Sequence, residues 1–361
     1  RTPMHAGKPL SSSEIYRRSL RKKRLFVWVA LALVLVLLLF GLTAGALKLS
    51  FAEVWAALFG GQNDTHRHIV LNLRLPRLLA AIVAGGALGL AGAVMQIVLR
   101  NPLGSPFTLG ISNAAAFGAA LAYLMLGSPI LQSVHHWLPG VQNSVVAISA
   151  FIWAALGSFF IIFISRKKGA TPENMILSGI IINTFFMALT SILQFLADDV
   201  QLGSIVFWTF GDLAKSTWNT LAIQVLVILP VLLFFLKNGL RFNALDAGDQ
   251  VASSLGISVH KFRLYSILLT SLLTACIVSF YGIIAFVGLI IPHVVRILMG
   301  NDARFLMPAS AALGALFLLI CDLVSRSLFS PLVIPVGIIT SIIGAPLFVI
   351  LLIKGSQRWS R

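Results

Sequence analysis

The sequence predicts an all-α polytopic membrane protein with ten transmembrane helices, and three observations carry this prediction. Of its 361 residues, 58% are apolar and only 11% are charged, whereas an average soluble domain has roughly 25% charged residues. The apolar residues are grouped in stretches close to the ~20 residues that a helix needs to cross a bilayer core. Lys and Arg are distributed unevenly over the intervening loops, as the positive-inside rule predicts. This composition excludes a soluble enzyme.

The first predicted helix follows the basic cluster at 21–24 and extends over 25–47. Its apolar run is longer than the roughly 7–15 residues of a signal peptide and no A-x-A-like cleavage site is evident, so we expect it to be retained. The other predicted spans are 76–98, 105–126, 145–164, 173–196, 219–236, 263–281, 283–299, 307–327 and 335–353. An even number of spans places both termini on the same side. The least distinct division is the one at Tyr281-Gly282.

The net charge of +16 resembles a nucleic-acid signal until the basic residues are placed on this topology. With the N-terminus inside, 21 of the 27 Lys and Arg residues lie in cytoplasmic segments and six lie on the outer side. Such asymmetry orients membrane proteins. The basic residues therefore indicate topology, and the predicted environment is membrane lipid, with no nucleic acid.

Motifs for a nucleotide site or a zinc protease are absent from the sequence, which has no G-x-x-x-x-G-K-[ST] and no H-E-x-x-H. Asp322 is the one acidic residue deep within a span, and its i,i+4 spacing from Arg326 predicts a local ion pair. Cys276 and Cys321 fall in apolar spans, where thiols are usually packing residues. The residues thus predict no catalytic, metal or cofactor site.

The most polar segment at the predicted outer face is Arg74-Leu75-Pro76-Arg77. Proline sets the helix start, so the two arginines form a fixed positive patch, either a lipid-headgroup anchor or a recognition site for an acidic partner. In the helix that follows, Ala81, Gly85, Gly89 and Ala93 recur every four residues. This spacing predicts a small-residue face on which another helix packs closely.

Two polar segments are predicted at the inner face. The loop at 100–106, rich in Asn and Pro, suits either a rigid turn or a gate at a pore mouth. In the longer segment 237–262, Asp246 is expected to cap a short helix that Gly256 ends, and Ser258 to cap the next helix. Apolar residues one helical turn apart make this hairpin either a docking surface or an interfacial helix on lipid.

In their order and spacing these segments resemble the FecCD-type permeases, which are membrane subunits of bacterial ABC importers for iron–siderophore complexes, haem and cobalamin. The similarity extends from about Arg74 to Lys354. Its most specific stretches are 74–122, 291–322 and 334–352.

The resemblance implies the type II ABC importer permease fold. It divides the chain into a basic cytoplasmic tail at 1–24, a ten-helix permease domain at 25–354 with coupling helices at about 244–262, and a cytoplasmic tail at 355–361. The implied partners are a second permease subunit in a homodimer, two ATPase subunits inside, and an extracytoplasmic substrate-binding protein. The implied location is the cytoplasmic (inner) membrane of a bacterium or archaeon. ATP would be hydrolysed by the partner subunits, so the chain is expected to be non-catalytic and without a cofactor.

Functional residues follow from the same resemblance. Those implied in docking the binding protein are Arg74, Arg77 and Arg326. Those implied in the cytoplasmic gates are Asn101, Leu103 and Thr171. Polar residues implied along the pathway are Asn183, Thr184 and Gln194. Those implied in ATPase coupling are Asp246, Asp249, Val251, Leu255 and Gly256.

The predicted substrate is an iron complex, either a siderophore or haem, on the basis of family frequency, and a cobalamin importer of the same architecture is the alternative. An ion-coupled secondary transporter is the rival of another class. It would need a site for a coupling ion, for which the spans offer little beyond Asp322.

Overall fold

The computed structural model describes residues 12–45, 47–61, 63–127, 141–167, 171–330 and 332–359, and these residues are helical apart from loops and one isolated bridge between Phe329 and Leu332. The helices in chain order are α1 (Ser12–Thr43), α2 (Phe51–Phe59), α3 (Asp64–His68), α4 (Leu75–Val98), α5 (Ile111–Leu126), α6 (Val141–Lys167), α7 (Pro172–Leu196), α8 (Asp199–Thr209), α9 (Trp218–Lys237), α10 (Gly239–Ala247), α11 (Asp249–Ser254), α12 (Val259–Tyr281), α13 (Val287–Met299), α14 (Ala303–Ser327) and α15 (Val336–Trp359). A π-helical segment, Ile69–Arg74, joins α3 to α4, and a 3-10 turn covers Leu213–Lys215.

Seven described helical stretches are long and apolar enough to cross a membrane. They are Arg17–Thr43, Asp64–Val98, Gln142–Lys167, Pro172–Leu196, Trp218–Lys237, Val259–Tyr281 and Ala303–Ser327. Shorter apolar helices cover Ile111–Leu126, Val287–Met299 and Val336–Leu351. The chain is therefore an all-helical polytopic membrane protein, and each predicted span overlaps one of these helices.

Several boundaries differ from the predicted ones. The first helix begins at Ser12 and ends at Thr43, because the basic residues before the apolar run are themselves good helix formers. The third span begins only after Gly110, whose φ of +81° is a left-handed conformation, so 105–110 is a turn. The predicted tail residues 1–11 and 360–361 lie outside the described residues.

Two short helices missing from the prediction are held by capping boxes. In α2 the Ser50 side chain accepts from the Glu53 backbone N–H, and Glu53 accepts from the Ser50 backbone N–H. In α8 the pair Asp198 and Gln201 does the same. Such caps satisfy N–H groups that a helix start leaves free, so they stabilise helices too short to be recognised from apolar periodicity.

α4 is the central helix, and no residue between Leu75 and Val98 is exposed. A Cβ added at Gly85 would overlap the Gly314 carbonyl of α14, and one at Gly92 would overlap the Gly288 carbonyl of α13. Backbones approach this closely only where side chains are minimal. The predicted small-residue packing face is therefore confirmed.

The division predicted at Tyr281-Gly282 is confirmed as a break between α12 and α13. Gly282 has φ of +78°, and a Cβ there would overlap the Trp208 carbonyl. The chain then stays irregular until Val287, because Phe286 also has a positive φ of +66°. The eighth predicted span is thus shortened to the helix α13.

The segment between α9 and α12 folds as two short helices. Gly256 (φ +78°) follows the end of α11, as predicted, and Ser258 is the N-cap residue of α12, although its side chain makes no capping hydrogen bond. The prediction that Asp246 caps a helix is wrong, because Asp246 lies in the last turn of α10. The residue before α11 is Gly248, and its φ of +130° is open mainly to glycine.

Candidate functional site

Three arginines predicted to act together line one cleft of about 380 Å³, which we call the arginine cleft. Arg74 ends the π-helical segment, Arg77 lies in the first turn of α4, and Arg326 lies in the last turn of α14. The rest of the cleft is lined by Gly45, Leu47, Ile69, Leu73, Ala214 and Ser216. The start of α4 and the end of α14 therefore form one polar site.

Asp322 is the centre of this cluster. It is fully buried, its Oδ1 accepts from Arg77 Nε at 2.6 Å, and its Oδ2 lies 3.0 Å from Arg326 Nε. The predicted local pair with Arg326 is confirmed. The stronger contact, with Arg77, was missed because 245 residues separate the two in sequence. One buried carboxylate thus bridges α4 and α14.

Arg74 has different partners. Its Nη1 donates to the Leu42 carbonyl at 2.6 Å and its Nη2 donates to the Leu47 carbonyl, both at the end of α1 or just after it. These contacts fix the guanidinium in place without neutralising it. Since Asp322 is shared by the other two arginines, the cleft keeps an excess of positive charge.

Part of that charge lacks a hydrogen-bond partner. Arg326 Nη2 is buried and unpartnered among the described residues, although Arg326 Nη1 donates to the Ala44 carbonyl at 3.3 Å. On the other side Asp212, which is partly exposed, lies 3.8 Å from Arg77 Nη2. A cleft with three guanidinium groups and one fully buried carboxylate can accept a further carboxylate.

The loop after α4 lies at the opposite end of that helix, about 36 Å away for 24 residues. Within it, Asn101 Oδ1 accepts from the Leu103 backbone N–H at 2.8 Å, and this contact closes a tight turn. The Leu103 side chain is exposed. Thr108 and Ser105 exchange hydrogen bonds that hold the rest of the loop. The polar residues of the loop therefore fix its shape.

The helix α11 lies at the same end and presents an apolar surface. Val251 and Leu255 are exposed by 44% and 67%, whereas Ala252 between them is fully buried. Among the described residues other than its two chain neighbours, none has an atom within 4 Å of where a Cβ would be at Gly256. A helix with its small residue inward and its large apolar residues outward is suited to contact another protein.

Two acidic residues flank this surface. Asp249 Oδ1 lies 3.2 Å from Arg100 Nη2 and 2.8 Å from Arg263 Nη2. Asp246 is partly buried, and its burial raises the pKa of its carboxyl, while Arg296 and Arg100 oppose that shift. Arg263, a buried residue of α12, was missed at the sequence level because its partner lies on another helix.

α7 carries the polar residues predicted to line a pathway. Asn183 accepts from Asn113 Nδ2 of α5 at 2.8 Å, so it joins two helices. Thr184 lies on the exposed face and its hydroxyl donates to the Ile180 carbonyl, while Gln194 is half-buried. Thr171 is the N-cap of the helix and accepts from the Asn174 N–H at 3.3 Å. Asn113 was not among the predicted residues.

Comparison with known proteins agrees with this architecture. The profile of the FecCD transport family matches residues 33–354. An ABC transporter permease protein of Methanocaldococcus jannaschii is 43% identical, with 95% of this chain and 98% of that protein covered. The hemin transport system permease protein of Yersinia pestis is 36% identical, with coverages of 93% and 98%.

Other relatives are named as vitamin B12 and siderophore permeases. Among solved structures, an inward-facing metal-chelate type ABC transporter is similar with a TM-score of 0.79 and 32% identity. The similarity covers 91% of this chain and 98% of that one.

Proposed function

Because the chain belongs to the FecCD transport family and is an ABC importer permease, we propose that it forms the translocation pathway for an iron complex, either a siderophore or haem. The observation that carries this proposal is the end-to-end similarity to a hemin permease, together with the likeness to a metal-chelate transporter. Permeases of this family work with ATPase and binding-protein partners. A cobalamin pathway is the second candidate, because vitamin B12 permeases are about as similar, at 33% identity.

In the proposed assembly two copies of this chain contribute ten spans each, from the seven long and three shorter apolar helices described above. Residues 25–354 form the permease domain in the cytoplasmic membrane. The tails at 1–24 and 355–361 lie on the cytoplasmic side, as the distribution of basic residues favours.

The arginine cleft is the proposed docking site for acidic side chains of the binding protein. Arg74 supplies a charge that no carboxylate neutralises, Arg326 shares Asp322 with Arg77, and the Arg77–Asp322 contact fixes the geometry. In this arrangement the incoming carboxylate competes with Asp322 for Arg326. Such charge complementarity steers docking and orients the partner more than it adds affinity.

The opposite end is the proposed ATPase contact. Val251, Leu255 and Gly256 form its apolar surface, and Asp246 and Asp249 lie at its edge. The cytoplasmic gates are proposed at Asn101 and Leu103 in the loop after α4, and at Thr171 where α7 begins. The pathway along α7 uses the edge that carries Asn183, Thr184 and Gln194.

Reconstitution tests the function directly. The chain is purified with its ATPase and binding-protein partners and placed in proteoliposomes, and ATP-dependent uptake of a ferric siderophore, haemin and cobalamin is compared. Uptake of an iron complex is expected to exceed that of cobalamin. The reverse ranking would support the second candidate, and uptake without the ATPase subunits would favour an ion-coupled carrier.

The docking site is tested separately by reversing charge at Arg74, the cleft arginine that makes no contact with Asp322. Arg74→Glu is expected to weaken association with the binding protein at least tenfold, measured by light-scattering or surface binding. Arg67→Glu makes the same charge change at an exposed position outside the cleft and should bind as wild type. Equal affinity of the two variants would show that the cleft is not the docking site.

A further inference from the structure

We propose that Asp249 is a positioning residue through which movement of α11 reaches the loop after α4, by way of its ion pairs with Arg100 and Arg263. The inference rests on the proposed function, in which α11 meets the ATPase and this loop contains a gate. The ion pairs physically connect α11 to the loop after α4, a connection that the apolar surface of α11 does not supply by itself.

A single carboxylate oxygen makes the connection. Asp249 is the first residue of α11, and its Oδ1 is shared by Arg100 Nη2 at 3.2 Å and Arg263 Nη2 at 2.8 Å. Arg263 in turn donates from Nε to the Val98 carbonyl at 3.2 Å. The start of α11, the end of α4 and the second turn of α12 are therefore held by one set of charged contacts.

The backbone of Arg100 has little freedom to move by itself. Its φ is +45°, a backbone conformation that residues other than glycine rarely adopt. Its backbone N–H donates to the Ile97 carbonyl at 3.1 Å. The next residue is Asn101, which holds the Leu103 backbone N–H. The Arg100–Asp249 contact therefore ties α11 to the residue that immediately precedes the turn exposing Leu103.

The two halves of the cluster differ in exposure. The Arg263 side chain is 3% exposed, whereas those of Arg100 and Asp249 are 40% and 42% exposed. A half-exposed ion pair is weak because water competes for both charges, so the Arg100–Asp249 contact can break and re-form. The buried Arg263 contact remains as the fixed point. This is the arrangement expected of a reversible connection.

The test uses the complete reconstituted complex and the ratio of substrate imported to ATP hydrolysed. Arg100→Gln removes one charge at an exposed position and leaves the Asp249–Arg263 contact and the α11 surface intact, so folding and assembly should be preserved. We expect ATP hydrolysis within about twofold of wild type and a ratio lower by about fivefold, the upper range for such a pair. Arg100→Lys keeps the charge and should restore most of the ratio.

Asp302→Asn is the matched control. Asp302 pairs with Arg304 at 2.7 Å at the same end of the molecule and accepts from Asn243 Nδ2 at 2.9 Å. Neither partner lies in the loop, so this variant should keep the wild-type ratio. If wild type imports with ATP and Arg100→Gln has an unchanged ratio, the inference is overturned and the proposed function stands. A parallel fall in hydrolysis and import would also overturn it, because it would indicate impaired assembly. If wild type shows no ATP-dependent import, the proposed function itself fails.

Discussion

Replacing Asp322 with asparagine is expected to destabilise the protein by about 3–5 kcal/mol, the cost of leaving a buried charge without its partner. Asp322 is fully buried and is the shared counter-ion of Arg77 and Arg326. Asparagine has nearly the same shape and still accepts from Arg77 Nε. It offers Arg326 either a neutral oxygen or a competing donor, so the variant changes charge while keeping the packing.

Asp212 provides the exposed comparison for the buried Asp322. Asp212 approaches the same arginine at 3.8 Å and its side chain is 32% exposed, so its attraction to Arg77 is screened and worth at most about 1 kcal/mol. Asp212→Asn is therefore a matched control on the same guanidinium. The double variant Asp322→Asn/Arg326→Leu should be more stable than Asp322→Asn, because one of the two uncompensated charges is removed.

Thermal unfolding of the detergent-solubilised protein, followed by the fluorescence of its seven tryptophans, measures these differences. The apparent midpoint of Asp322→Asn should fall by roughly 10 °C, given about 2–4 °C for each kcal/mol in a chain of a few hundred residues. That of Asp212→Asn should fall by no more than about 3 °C. Equal midpoints for the two variants would refute the assignment of Asp322 as the buried counter-ion.

Three further predictions concern other parts of the molecule. Gly92→Ala places a methyl group against a backbone carbonyl and should lower the free energy of unfolding by about 1–3 kcal/mol. Gly203→Ala, with open space around it, should be neutral or stabilising by up to about 1 kcal/mol. Thermal unfolding midpoints compare the two variants. The pKa of Asp302 is lowered to about 2, mainly by its hydrogen bond with the Arg304 side chain. Its contribution to stability is therefore complete above about pH 4 and is lost as the pH falls towards 2. Asp302→Asn should flatten this part of the stability–pH curve. Leu255→Glu should reduce co-purification of the ATPase subunits at least fivefold, whereas Leu240→Glu, at an equally exposed position on α10, should not.

Each of these has an outcome that contradicts it. Equal midpoints for the two alanine variants would show that the α4 contact tolerates a methyl group. An unchanged acid limb in Asp302→Asn would show that other carboxylates dominate there. Similar losses of ATPase for both glutamate variants would show a general effect of charge near the membrane rather than a contact at α11.

The sequence predicted the long helices well because their signal is local. Twenty apolar residues identify a membrane helix whatever its neighbours are, and the spans at α7 and α9 were placed within one residue or two of their observed ends. The misplaced ends are those set by single residues. Gly110 delays the start of α5 and Phe286 delays the start of α13, each by adopting a positive φ that apolar periodicity does not register.

The candidate sites were predicted as positions but not as contacts. Arg74 and Arg77 stand out because the predicted topology places them on the side of the membrane that carries few Lys and Arg residues. The contacts of Arg77 with Asp322 and of Asp249 with Arg100 form only because segments far apart in sequence pack together. A single sequence contains no signal for such pairings. The local i,i+4 pair of Asp322 and Arg326 is the ion pair that could be predicted, because helix geometry alone brings it together.

The two candidate sites lie at opposite ends of one rigid helix, α4. α4 carries Arg77 in its first turn, beside the arginine cleft, and Arg100 lies two residues beyond its other end. Along its length its glycines bring its backbone against those of α13 and α14. Backbone contacts leave no layer of side chains that could repack to absorb a displacement. Bending α4 between the sites would therefore break close packing on both neighbouring helices. The helix is far better suited to shift or tilt as a unit than to bend, so a partner bound at either end acts on an element that reaches the other.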